Sequence, residues 1–230
     1  MKRQHLLAVL ALVAVTGCRE GNGSSIEITG NALQGGFDPC AFTSGGALLL
    51  GNGFYDPAPV AGGAPVDGGA YILALYIQNN LADPNSIAPG STTDSKGWRP
   101  ENVRVRVNPK EYTDLYKPSP ALAAISVADL TLPVAPSSTV KPGGGNGVFV
   151  MNIFGDGLTA ALQGIGVPGT LVLGITLQGR TNDGARLDSV EWPLAIDVLA
   201  PSSLSLTPTC PTGTTAKDRC VGQTLIPVCR

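Results

Sequence analysis

Two runs of alternating apolar residues, separated by Asn182-Asp183-Gly184, constrain this chain more than any other stretch. Leu171, Leu173, Ile175 and Leu177 take every second position of one arm. Val190, Trp192, Leu194, Ile196 and Val198 do the same in the next. Strand side chains alternate between faces, so each arm has one apolar face to bury. The segment from Arg180 to Arg186 lies between them, and Asn, Asp and Gly accept the backbone conformations of a tight turn. The stretch predicts a β-hairpin, and a hairpin with one apolar face needs a second layer against it. Pro193 falls on the outward set, where its missing N–H suits an edge or a bulge.

The rest of the chain repeats the pattern in shorter pieces. Ser25 to Leu33 and Ala47 to Leu50 predict two strands, and Gly51 to Gly69 a turn-rich loop with three prolines. Ala70 to Leu81 is apolar on both faces, the mark of a central strand. Ala82 to Pro100 reads as a polar loop. Asn102 to Asn108 alternates Val103, Val105 and Val107 inward with Arg104 and Arg106 outward, a half-buried strand. Pro109 to Tyr116 suits a helical turn, and Ile125 to Leu132 a strand ended by Pro133 and Pro136. Lys141 to Gly147 is a glycine-rich turn feeding a strand over Val148 to Phe154. Asp156 to Gln163 is the best helical segment, with Asp156 as N-cap. Leu204 to Leu206 suits one more strand.

Glycine (30) and proline (19) are frequent, yet hydrophobic residues make up 43%, enough for a packed core with many turns. Short strands without a long amphipathic helix predict an all-β fold, an antiparallel β-sandwich, immunoglobulin-like by analogy. The expected division is one body over 26–207, with long Gly/Pro-rich loops and a cysteine-containing tail over 208–230 packed on it.

The N-terminus carries a different signal. Lys2 and Arg3 precede an apolar run from Leu6 to Val15, and Thr16-Gly17-Cys18 follows. A ten-residue helix spans about 15 Å, half of a bilayer's hydrocarbon core, which suits a signal peptide and not a membrane span. Val15-Thr16-Gly17-Cys18 resembles the bacterial lipobox. That resemblance to bacterial lipoproteins implies that residues 1–17 are removed and that Cys18 carries diacylglycerol and an N-terminal acyl chain. It further implies a membrane partner through the lipid. Arg19 in place of Asp leans the expectation to the outer membrane, at its periplasmic face or at the cell surface. Residues 18–25 then form a short tether.

With Cys18 lipidated, Cys40, Cys210, Cys220 and Cys229 remain, an even number in an exported chain, and disulfides are the expected state. Three connectivities stay open. The spacings of the last three differ from those of zinc knuckles. Loss of Lys2 and Arg3 takes the basic residues from 15 to 13 against 17 acids, a side-chain balance of about −4. No basic footprint for nucleic acid is present, and no run of Lys and Arg points to anionic lipid.

The single histidine, His5, lies in the signal. The mature chain therefore has no histidine base, triad or metal ligand. No catalytic residue, metal or cofactor is expected. The oxygen-rich loop from Asp83 to Asp94 lacks EF-hand spacing. The glycines before Val148 precede a strand, unlike those of a phosphate loop. The expected function is a noncatalytic, lipid-anchored envelope role in structure, adhesion or complex assembly, with other envelope proteins as partners. Trp98, Arg99, Arg104 and Arg106 are the candidate interaction residues. A carbohydrate- or small-ligand-binding module is the first alternative and needs an aromatic beside polar groups. A carboxylate-dependent hydrolase is the second and needs two converging acids.

Overall fold

The computed structural model describes residues 25–32, 48–49, 53–58, 60–61, 64–65, 71–82, 95–127, 129–135, 139–203 and 212. Its first strands are β1 (Ile26–Ala32), β2 (Leu48–Leu49), β3 (Gly53–Tyr55), β4 (Val60–Ala61), β5 (Ala64–Pro65) and β6 (Ile72–Asn79). Then come β7 (Trp98–Val107), helices α1 (Lys110–Tyr116) and α2 (Pro120–Ala123), β8 (Leu130–Pro133) and β9 (Gly145–Asn152). Helix α3 (Asp156–Ile165) leads to β10 (Gly169–Thr181), β11 (Arg186–Asp188) and β12 (Trp192–Val198). The protein is built mostly of strands, in antiparallel and mixed sheets.

The first sheet has the order β2-β1-β6-β9, antiparallel throughout. β6 is central, as its two apolar faces require. Tyr71, Leu73, Leu75 and Ile77 are wholly buried, while Ile72 and Tyr76 on the other face are half-buried. Asn79 ends the strand. Its Nδ2 donates to the carbonyls of Lys96 (3.0 Å) and Val140 (2.9 Å), and its Oδ1 accepts from Leu81 N (3.1 Å). A buried amide satisfied on three sides ties this sheet to the start of β7.

The second sheet has the order β3-β12-β10-β7-β8, with β11 also on β10. The expected hairpin is present: β10 pairs antiparallel with β11 and then with β12. Its second arm is interrupted. From Gln178↔Asp188 to Ile175↔Trp192, β10 advances three residues and its partner four. The extra residue is a β-bulge. Ser189 sits in it, taking the place of a backbone carbonyl: its Oγ accepts from Leu177 N (2.9 Å). The bulge also turns Val190 out, 55% exposed, against its expected inward place.

One further expectation is corrected here. The stretch 51–69 is not only loop, because β3 runs parallel to β12 and β4 pairs with β5. β3 covers β12 only at its end, so Pro193 keeps the expected edge position among the described residues. Pro193 is tolerated because β3 reaches only Ile196 to Val198, so nothing in β3 pairs with the backbone at Pro193.

The inward faces of both sheets enter one buried cluster. Leu73, Leu75, Phe149 and Met151 of the first sheet join Val103, Val105, Leu171, Leu173, Ile175, Leu194 and Ile196 of the second. At one end Tyr55, Tyr71 and Phe154 pack together, with Tyr71 stacked on Phe154 at 5.1 Å. Gly53 permits this. A Cβ there would lie 1.8 Å from the Tyr71 hydroxyl. In α3 the N-cap is Gly155, and the expected cap, Asp156, is the first helical residue. A carboxylate in the first turn still complements the helix dipole. Leu158 and Leu162, four apart, are the face that α3 buries. Of the expected strand over 125–132, only Leu130 to Leu132 is strand, in β8, and α2 precedes it over Pro120–Ala123. Pro136 and Leu204–Leu206 lie outside the described residues. No helix among the described residues is long and apolar enough to cross a membrane.

Candidate functional site

Trp98 is wholly buried in the first position of β7, and this corrects its placement in an exposed polar loop. Counting back from Val103 by straight alternation would turn Trp98 outward. The ladder is not straight. Gln178 faces Asn102, but Gly179 faces Pro100, so Glu101 is an extra residue that resets the parity. The indole then points inward, and its Nε1 donates to Leu187 O at 3.0 Å. Gly179 makes room, since a Cβ there would lie 2.6 Å from the Trp98 ring and 2.2 Å from Arg99 O.

The same parity places Arg99, Arg104 and Arg106 on the outer face of the second sheet. Arg106 is the most constrained. Glu191 accepts from its Nε at 2.6 Å and from its terminal nitrogen, and Glu111 of α1 accepts from that nitrogen too. Glu191 first, then Glu111, raise the pKa of the guanidinium. The Arg106 hydrogen bond chiefly lowers that of Glu111. Gly174 forms the floor here, because a Cβ would stand 2.6 Å from Glu191 Oε1. The triad ties α1 to the sheet, which makes Arg106 a structural residue. Arg104 lies opposite Thr176, and Arg104 Nε and Thr176 Oγ1 are both buried without a hydrogen-bond partner among the described residues.

Tertiary structure adds two arginines that the linear pattern does not single out. Arg99 faces Arg180 across β7 and β10, and Arg180 faces Arg186 across β10 and β11. Three guanidinium side chains thus start side by side on three strands. Arg180 Nε donates to Glu101 at 3.2 Å, the row's one ion pair among the described residues. A hairpin centred on Asp183 pairs residues 180 and 186, so two of the three arginines were implicit in the turn. Arg99 was not, since its place depends on the bulge.

Beside the row lies a groove of about 490 Å³, lined by Glu101, Asn102, Gln178, Gly179, Arg186, Leu187 and Asp188. Gln178 Nε2 donates weakly to Asp188, at 3.4 Å. The groove offers amide and guanidinium donors with two carboxylate acceptors, and its lining holds no aromatic ring among the described residues. It suits hydrogen bonding and charge pairing. Cys18, Cys40, Cys210, Cys220 and Cys229, and the loop from Asp83 to Asp94, lie outside the described residues.

Fold and surface together define a class: a strand-built body of two sheets sharing one core, with an arginine-bearing sheet face and a polar groove on it. Compared with protein-family models, with curated proteins and with solved structures, the chain matches none of them.

Proposed function

We propose that this chain is a lipid-anchored, noncatalytic envelope protein that works by association, through a body of immunoglobulin-like sandwich order. The observation that carries the anchor is continuity. β1 begins at Ile26, so the strand-built body starts within a few residues of the lipobox-like Cys18. The strand order supports the sandwich. β1-β6-β9 on one side and β12-β10-β7-β8 on the other, with β3 added in parallel to the last strand, corresponds to the two sheets of that architecture. β6 and β10 carry no cysteine, so the core disulfide of antibody domains has no counterpart. Association is favoured over catalysis because the mature sequence has no histidine and the groove presents solvent-facing charges of both signs.

Intact-mass measurement of the envelope-extracted protein tests the reading. The expected mass lacks residues 1–17 and includes acyl chains on Cys18, and a high-salt wash releases the Cys18→Ser chain, but not the parent, from the membrane fraction. An unprocessed N-terminus on a cytosolic chain would overturn it.

A further inference from the structure

We propose that the end of the molecule from which the chain runs toward Cys18 lies on the bilayer, and that the Arg99–Arg180–Arg186 row binds phosphates of anionic lipid headgroups there. This rests on the anchored reading and adds to it an orientation and a ligand.

The chain's point of departure is fixed by hydrogen bonds. Ser25 O accepts from Asn80 N (2.7 Å), and Ile26 O accepts from Val190 N (3.4 Å). The turn of the β10–β11 hairpin meets the start of β7 at the same end: Asn182 N donates to Gly97 O (2.8 Å) and Asp183 N to Ser95 O (3.0 Å). Asn79, next to Asn80, bonds the Lys96 carbonyl. The outer-face arginine row is therefore within two residues of the end where the tether begins, about 7 Å along the strand. The seven residues after Cys18 reach at most roughly 25 Å. β10 alone, thirteen residues long, spans about 43 Å. The tether holds this end, and not the opposite one, close to the membrane.

Lys96, Arg99, Lys141, Arg180 and Arg186 gather at the tethered end, with Glu27, Glu101, Asp183 and Asp188 among them. Lys96 pairs with Asp183 and Arg180 with Glu101, which leaves Arg99, Lys141 and Arg186 without an ion pair among the described residues. Like charges directly opposite on neighbouring strands repel. Arg99 and Arg186 are exposed, and Glu101 answers only Arg180. A phosphate relieves that repulsion and matches the planar fork of each guanidinium. No linear run of Lys and Arg announces this surface, because three strands are needed to assemble it.

The test uses the lipidated chain in vesicles of phosphatidylcholine alone and of phosphatidylcholine with phosphatidylglycerol. Phenylglyoxal labelling of arginine is read by mass spectrometry. Arg99 and Arg186 are expected to be labelled several-fold less in the anionic vesicles, and the protection is expected to fade in high salt. Equal labelling in both vesicles would overturn the inference while leaving the anchor standing. A second arm needs no acyl chain. The Cys18→Ser chain should sediment with anionic vesicles and not with neutral ones. Arg99→Gln with Arg186→Gln should weaken that binding, by about fivefold for each arginine. Unchanged sedimentation of the double variant would also overturn it. Should Cys18 prove unacylated, the anchored reading fails by mass while this second arm still decides the arginine row.

Discussion

At Asp183 the carboxylate accepts from Lys96 Nζ at 2.6 Å and from the Thr181 hydroxyl, inside the turn that joins β10 to β11. The Lys96 hydrogen bond chiefly, then that of Thr181, lowers its pKa from 3.8 to about 2. A carboxylate whose folded pKa is depressed stabilises the fold fully above its unfolded value. That contribution is lost as pH falls from about 4 through about 2. Asp183→Asn is therefore expected to be less stable than the parent near pH 5, with the difference shrinking as pH falls to about 2. Urea midpoints across that range provide the measurement, and a pH-independent difference would refute this role. Trp98 teaches a related lesson at one position. Its burial comes from an extra residue three places along the chain, and nothing in its own neighbours, Gly97 and Arg99, announces it.

Two β-bulges decide how the second sheet presents itself. The one at Glu101 turns Trp98 in and Arg99 out, and the one at Ser189 frees Val190 and lets Glu191 reach Arg106. The first depends on the small residue facing it, Gly179. Gly179→Ala puts a methyl into the Trp98 ring and the Arg99 carbonyl, neither of which is the far end of a flexible side chain. Overpacking of that kind costs about 1–3 kcal/mol. The expected result is a lower denaturation midpoint with a shifted tryptophan emission. A variant as stable as the parent, with unchanged emission, would show that the bulge relaxes freely. Gly174→Ala is milder in kind, because it displaces only the mobile carboxylate of Glu191.

The molecule as a whole buries its apolar faces in one shared cluster, so neither sheet has a core of its own. Its unfolding is expected to be a single cooperative transition, with strand signal in circular dichroism and tryptophan fluorescence changing together. Trp98 and Trp192 both belong to the second sheet, while β6 and β9 dominate the first. Separate midpoints for the two signals would mean that the sheets unfold independently. The meeting of Arg99, Arg180 and Arg186 on one outer face is also a property only of the assembled molecule.

Period-two alternation by itself placed strands within Ala70–Leu81 and Asn102–Asn108 and along Leu171–Leu177, with Arg104 and Arg106 outward, and Asn182-Asp183-Gly184 marked the turn. Those features are local, since a strand's faces and a tight turn's backbone depend on residues a few places apart. The lipobox-like Cys18 is likewise a short linear pattern. Tertiary structure alone decided the parallel pairing of β3, the inward turn of Trp98 and the meeting of Arg99, Arg180 and Arg186. Each depends on register between distant segments, and one extra residue in a ladder reverses which face a side chain takes.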